Sequence, residues 1–345
     1  MTHLDAILSA DFLNENGAPI FPDISIDTIT RWPRIRHRFL DRYSPEYEPD
    51  QLRDSDVLLS LKPKVTAKSL EGVTRLCAIG RFGVGYDNVD LAACTEHDIA
   101  VYITRQAVVR PVASSVVLLV LAASHNLVWK DRLVRRGDWL ASTRVLGQEP
   151  RGRILGTVGL GNIARETLKL LRPFEFARFL AFDPWVTPET ADNIGVTLTS
   201  LEELFANSDY VLINCPLTSE TRGLIGASLL RLMKKDAVLV NTARGPIVDE
   251  VALTRILSEG AIRCAALDVF EQEPLSPESP LIGLENTILT SHSLCWTREL
   301  FRDMGREAFE GVVAIMNGEP PANVVNQAVL ERPGFRRKLE RLAAQ

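Results

Sequence analysis

The segment Ile154-Leu-Gly-Thr-Val-Gly159-Leu160-Gly161-Asn162-Ile163-Ala164 decides how this chain is read. Ile154–Val158 is an apolar run of strand length, and the residues after Gly161 have the composition of a helix. Two glycines stand between them. A strand, a glycine turn and a helix in that order form the fingerprint of a dinucleotide site, and Ala164 in place of the third glycine lies within the pattern. Gly159 permits the tight turn. Gly161 lets a pyrophosphate approach the backbone, where the N–H groups of Asn162 and Ile163 stand at the positive end of a helix. The turn Gly159-Leu160-Gly161-Asn162-Ile163 is therefore the candidate cofactor loop. The next apolar run, Phe179–Phe182, ends at Asp183, which is expected to accept hydrogen bonds from the adenosine ribose. A carboxylate there repels a 2′-phosphate, and Pro184 and Trp185 bring no positive charge. The expected cofactor is NAD rather than NADP.

The same alternation continues outward. Tyr210–Asn214, Ala237–Asn241, Arg263–Val269 and Thr287–Thr290 read as buried strands, separated by helical stretches at Ala227–Met233 and Asp249–Ser258. Ser200-Leu-Glu-Glu203 is a capping box that starts another helix. Upstream, Ala6–Ser9, Val57–Leu61, Leu76–Gly80 and Ala100–Ile103 read as strands, and residues 13–30 as an irregular loop. Residues 106–140 read as a long apolar helix followed by an Arg-rich polar segment, and residues 303–328 as helical, then extended. The basic tail Pro333–Gln345 reads as a solvated surface helix. Strands alternating with helices imply a parallel sheet covered on both faces, with ligands at the C-terminal ends of the strands.

Three residues at such ends have the chemistry to reduce a carbonyl. Arg244 lies in Asn241-Thr-Ala-Arg-Gly, Glu273 in Asp268-Val-Phe-Glu-Gln-Glu-Pro, and His292 in Thr290-Ser-His. A keto acid needs a cation for its carboxylate and carbonyl, a proton donor for the developing alkoxide, and a carboxylate that keeps the donor protonated. The planar fork of Arg244 suits the first task, His292 the second, and Glu273 the third by raising the pKa of the histidine. Singly, each has an ordinary reading as a surface ion pair, a turn or a stray histidine; on consecutive strands they read as one site. His3, His37, His97 and His125 have no such setting, and no metal-ligand spacing occurs. A second glycine cluster, Gly83-Val84-Gly85-Tyr-Asp-Asn, also follows a strand, with no acid-tipped strand after it. It is either a turn that offers the N–H groups of Val84 and Gly85 to a small anion or a purely structural turn.

Composition limits the alternatives. The 345 residues suggest two domains, and 46% apolar with 24% charged residues is ordinary for a globular enzyme. Thirty-nine Lys and Arg against 44 Asp and Glu give a net charge of −5, which offers no electrostatic case for nucleic acid or an anionic membrane. The five cysteines lie mostly in apolar runs without a CxxC pair, and no basic leader precedes Asp5, so buried thiols in a cytoplasmic protein are expected. Pro111–Trp129 is uncharged over 19 residues, but its Pro, Ser, His and Asn content favours a helix buried at a domain junction or subunit interface over a membrane span.

These motifs resemble the D-isomer-specific 2-hydroxyacid dehydrogenases, a group that includes glyoxylate and hydroxypyruvate reductases and phosphoglycerate dehydrogenases. The resemblance runs from about Asp56 to Asn326 through Gly83–Asp90, Gly156–Gly161, Cys215–Thr221, Asn241–Gly245, Asp268–Pro274 and Thr290–His292. It implies an α/β fold of two Rossmann-like, doubly wound parallel-sheet domains with a cleft between them. Residues 1–105 with 299–330 would form the substrate domain, 106–298 the NAD domain, and 331–345 a tail. It implies NAD as cofactor and Arg244, Glu273 and His292 as the catalytic set. Further cofactor contacts would fall on Cys215, Pro216, Thr221, Thr242 and Asp268. The substrate carboxylate would meet Val84 and Gly85, with Lys62 nearby, and a homodimer would form largely through the NAD domain.

The implied substrate is a small 2-hydroxy or 2-keto acid. Three departures bear on it: Ser114 follows Val112-Ala113 where members often carry Glu, Ser291 replaces the usual Pro before the histidine, and Leu294-Cys295-Trp296 replace small residues after it. That bulk is expected to narrow the pocket. Oxidation of another small anion such as phosphite, or an NAD-sensing role like that of the superfamily's corepressors, are the alternatives. An amide where Glu273 stands would have pointed to formate oxidation.

Overall fold

The computed structural model describes residues 3–344, which divide into two compact units. One comprises the residues up to Val108 together with those from Trp296 onward, and the other runs from Val109 to Cys295. Both are built on open, wholly parallel sheets.

In the first unit, strands β1 (Leu4–Leu8), β2 (Ile35–Phe39), β3 (Val57–Ser60), β4 (Ala78–Arg81) and β5 (Ala100–Ile103) pair in the order β2-β1-β3-β4-β5. The order reverses between β1 and β3, so this sheet has its switch point where the chain leaves those two strands. One face carries Ile7, Leu58, Ile79 and Val101 into a core with Leu52, Leu70 and Leu76. On the other, Tyr102 lies buried and donates its hydroxyl to Ala308 O at 2.8 Å. Gly80 on β4 and Gly311 on the helix Arg298–Met316 flank that ring so closely that a Cβ on either would lie 2.5 Å from it. Strand β2 is absent from the sequence reading because it is an edge strand with three exposed residues, Arg36, His37 and Arg38, and gives no apolar signature. The loop expected at 13–30 also contains a short helix, Asp27–Thr30, at its end.

The expectation of a solvated tail helix is corrected by the structure. The helix Pro333–Ala343 buries Phe335, Leu339 and Leu342. Its Lys338 ammonium donates to the carbonyls of Leu76 and His97, both at 2.7 Å, and burial draws the pKa of this group below the ordinary lysine range. Composition alone weighed the six-residue run Arg336–Arg341, five of them charged; the helical spacing of three apolar side chains decided the packing.

In the second unit, β6 (Ile154–Val158), β7 (Arg178–Phe182), β8 (Thr197–Leu198), β9 (Tyr210–Ile213), β10 (Val238–Asn241), β11 (Cys264–Leu267) and β12 (Thr287–Leu289) pair in the order β12-β11-β10-β9-β6-β7-β8. Successive residues point to opposite faces. Val211, Ile213, Leu239 and Ala265 enter a core with Leu204, Leu230 and Leu253. Tyr210, Leu212, Val238 and Ala266 enter another with Val116, Leu119, Ala164 and Leu168. Burying each such large side chain contributes roughly 1.5–3 kcal/mol, which explains strands that are apolar throughout rather than alternating.

Of the apolar helix and Arg-rich segment read over 106–140, the apolar helix runs from Val109 to Ser124. After Asn126, held in the left-handed region at φ 54°, the Arg-rich segment forms a second helix, Leu127–Arg135, that departs at 60°. Arg263 caps the first helix by donating to Ser124 O and Asn126 Oδ1, a favourable site for a cation at a helix C-terminus. Among the described residues no single helix is long and apolar enough to cross a membrane. All five cysteines are free thiols, four of them buried.

Candidate active site

The seven-stranded sheet reverses its order between β6 and β9, and the turn that follows β6 stands there. Its glycines do different work. Gly159 sits at φ +94°, and a Cβ there would lie 2.8 Å from Cys215 N, so only glycine fits between the two strand ends. A Cβ on Gly161 would meet nothing within 4 Å, leaving open space in front of the backbone at the start of the helix Asn162–Leu171. Asp183, just beyond β7, accepts from Leu160 N at 2.8 Å and Trp185 N at 2.9 Å, so the acidic tip and the turn are one assembly. Thr157 Oγ1 donates to Gly159 O and accepts from Asn214 Nδ2, both at 2.9 Å.

Beyond β9, Cys215 is buried, and burial pushes its thiol up to about 11, so it stays a neutral lining group. Pro216 is exposed. Thr221 closes this loop by donating to Pro216 O at 2.6 Å and accepting from Thr218 N at 2.8 Å. Thr242 is half-buried just past β10.

Arg244, Glu273 and His292 follow β10, β11 and β12. Asn241 shapes the first loop, accepting from Ala243 N and donating to Arg244 O, both at 3.0 Å. A Cβ on Gly245 would lie 1.9 Å from the Phe270 carbonyl carbon, so the Arg244 and Glu273 loops touch backbone to backbone. Glu273 Oε2 meets His292 Nδ1 at 2.7 Å, and its Oε1 accepts from Phe270 N at 3.0 Å. Burial works to raise the pKa of Glu273, but the His292 hydrogen bond and charge, the Phe270 N–H and the Arg244 charge together hold it below the ordinary glutamate value.

His292 lies in the left-handed region at φ 53°, uncommon for a residue with a side chain. Buried Asp268 holds its segment there. Asp268 Oδ1 accepts from Thr290 Oγ1 at 2.7 Å, Ser293 N at 3.2 Å and Leu294 N at 3.3 Å. With Nδ1 engaged by Glu273, Nε2 is the nitrogen left for a substrate.

Lys62, Val84 and Gly85 belong to the five-stranded unit, beyond β3 and β4. Gly83 N donates to Thr104 Oγ1 at 2.8 Å, which fixes the turn. Among the described residues no acceptor meets the N–H of Val84 or Gly85, as an anion-binding turn requires. Lys62 is exposed.

The family model "D-isomer specific 2-hydroxyacid dehydrogenase, NAD binding domain" matches residues 117–293. The chain belongs to this family. It therefore carries a nicotinamide cofactor site, on the unit that holds the glycine turn. A glyoxylate reductase of Korarchaeum cryptofilum is 37% identical over 87% of this chain and 93% of its own length. A D-3-phosphoglycerate dehydrogenase of Archaeoglobus fulgidus is 37% identical over 94% of this chain, but the match spans only 58% of that protein. Among solved structures, a glyoxylate reductase of Paecilomyes thermophila superposes with a TM-score of 0.80 at 26% identity, covering 95% of this chain and 99% of that one.

The Leu294-Cys295-Trp296 stretch is divided between the two units. Leu294 packs against the core of the seven-stranded unit, while Trp296 packs in the other unit against Phe21 and Phe301 at ring distances of 5.6 and 5.3 Å. Within the apolar 111–129 stretch, Val116, Leu119, Val120 and Ala123 are core residues of their own unit, while Leu118 and Leu127 are exposed. Sequence reasoning also missed Arg165, whose Nε donates to Leu160 O at 2.9 Å and sets a guanidinium beside the cofactor turn. Its place four residues after Gly161, one helical turn on, was the available signal.

Proposed function

We propose that this protein is an NAD-dependent D-2-hydroxyacid dehydrogenase that interconverts a small 2-hydroxy acid and its 2-keto acid. The observation that carries the reading is the 2.7 Å contact of Glu273 with His292 Nδ1, on a histidine held in the left-handed region. Bound NAD supplies the hydride acceptor, and NADH the donor. The backbone of Gly159, Leu160, Gly161, Asn162 and Ile163 would hold its pyrophosphate, and Asp183 its adenosine ribose. Cys215, Pro216, Thr221, Thr242 and Asp268 would line the rest of the cofactor site.

Arg244 binds the substrate carboxylate and carbonyl oxygen, concentrating positive charge where the alkoxide develops. His292 gives its Nε2 proton to that oxygen during reduction and takes it back during oxidation. Glu273 steadies the imidazolium through Nδ1. The unpaired N–H groups of Val84 and Gly85, with Lys62, bind the substrate's anionic end. The exposed side chains of Leu118, Leu127, Val134, Trp139, Leu140 and Leu146 support assembly of a homodimer through the NAD-binding unit.

The test is loss of NADH absorbance with purified protein against 2-keto acids from glyoxylate and hydroxypyruvate to phenylpyruvate, with NADPH as a parallel cofactor and His292→Ala as control. Turnover with NADH above NADPH is expected. His292→Ala should abolish it yet leave NADH affinity within about twofold. Silence on every keto acid with NADH still bound would overturn the reading in favour of another anion or a sensing role.

A further inference from the structure

The turn after β6 is held by side chains as well as shaped by glycines. Leu160, between Gly159 and Gly161, is engaged on both sides of its backbone. Its N–H donates to Asp183 Oδ2 at 2.8 Å, and its carbonyl accepts from Arg165 Nε at 2.9 Å. The other oxygen of Asp183 accepts from Trp185 N at 2.9 Å. The peptide planes that enter and leave Leu160 are therefore fixed, one by an anion and one by a cation. All of these residues lie in the seven-stranded unit.

Arg165 is half-buried near the start of the helix Asn162–Leu171. A guanidinium carries five N–H donors in one rigid plane. Nε is engaged by Leu160, and among the described residues neither Nη nitrogen has a hydrogen-bond partner. The other charged side chains of this helix pair elsewhere: Glu166 meets Arg110 at 2.7 Å and Lys169 at 3.7 Å. Leu160, Asn162 and Ile163 carry no charge, so Arg165 is the cation that contacts the turn. The carbonyl it holds belongs to the peptide that joins Leu160 to Gly161. Its fork therefore stands beside the residue whose missing side chain leaves open space.

A pyrophosphate carries two negative charges near neutral pH, and a helix start offers only about half a positive one. Asp183 adds a further negative charge at the same turn. Backbone N–H groups alone leave most of that charge unbalanced. We infer that Arg165 is a further cofactor-binding residue: its Nη groups pair with the dinucleotide pyrophosphate, while its Nε holds the Leu160 carbonyl that positions the turn. The guanidinium is ordered before the cofactor arrives, so binding costs less of its rotamer freedom. The inference rests on the dinucleotide part of the dehydrogenase reading and adds a side chain to that site.

The experiment measures, by calorimetry on purified protein, the Kd of ADP-ribose, which carries the pyrophosphate without the nicotinamide. The wild type is compared with Arg165→Lys, which keeps the charge, and Arg165→Gln, which keeps a donor for the Leu160 carbonyl without the charge. Gln should weaken binding about 10- to 100-fold, and Lys by less than about fivefold. Raising salt from about 50 to about 500 mM should weaken the wild type more than the Gln variant, because screening acts on the charge. Thermal melts establish that both variants are folded; should either fail to fold, the salt dependence of the wild type decides, and a Kd that does not move with salt overturns the inference. A Gln variant as tight as the wild type would overturn it, as would a Lys variant as weak as Gln. NADH and NADPH are titrated alongside, and a loss confined to NADPH would assign Arg165 to a 2′-phosphate instead. None of these readouts needs turnover. Absence of His292-dependent turnover with ADP-ribose affinity intact would remove the dehydrogenase reading and leave the role of Arg165 standing.

Discussion

At the scale of the residue, His292 carries the most information. Its left-handed backbone is stabilised by Asp268, whose one carboxylate oxygen gathers a hydroxyl and two N–H groups from residues 290–294. Its ring is oriented by Glu273, which stays ionised below the ordinary glutamate pKa despite partial burial. Because a carboxyl with a depressed pKa loses its charge only when pH falls through that value, the pair persists down into the acid range. Glu273→Gln removes the carboxylate that holds His292 Nδ1. It should lower kcat at neutral pH by about 10²–10⁴-fold, in line with loss of acid-base catalysis, with NADH affinity unchanged. An unchanged kcat would show that Glu273 is not the partner.

At the scale of the element, the site depends on loops that lie closer together than side chains permit. Gly245 brings the loop after β10 against the Phe270 backbone after β11, a contact that sets Arg244 beside the Glu273 loop. Gly245→Ala forces at least one loop to move. It should destabilise the protein by about 1–3 kcal/mol, the usual range for overpacking. It should also depress kcat by separating Arg244 from the Glu273–His292 pair. Thermal melts and steady-state kinetics together check this, and a variant with unchanged Tm and kcat would contradict it. The glycine turn follows a different logic, since Gly161 faces open space and is needed for what binds rather than for what packs.

At the scale of the molecule, the two units have separate cores, and the C-terminal helix seals one of them. Arg341 Nη2 reaches Asp56 Oδ1 at 2.7 Å, and Arg75 holds the same carboxylate through Nε at 3.0 Å and Nη2 at 2.6 Å. Asp56 is fully buried. Arg341→Ala should cost about 1.5–3 kcal/mol, the range for a hydrogen bond to a charged group. A lower urea midpoint with unchanged NADH affinity is expected, because the proposed NADH ligands all lie in the other unit. A matching loss of NADH affinity would mean that the tail helix supports the cofactor site.

The sequence by itself determined the alternation of strands and helices, the cofactor turn with its acid, and the candidacy of Arg244, Glu273 and His292. Each is written locally, in runs of apolar residues, in glycines at turns and in chemistry placed after a strand. It missed the edge strand Ile35–Phe39, whose solvent-facing residues leave no apolar pattern, and it misjudged the tail helix, whose apolar spacing is sparse among charges. Only the tertiary structure decided the rest. Strand order, the 2.7 Å approach of Glu273 to His292, the closeness that makes Gly245 obligatory, and the parting of Leu294 from Trp296 all depend on contacts between segments far apart in the chain. Such contacts are set by how whole faces pack, which local composition does not encode.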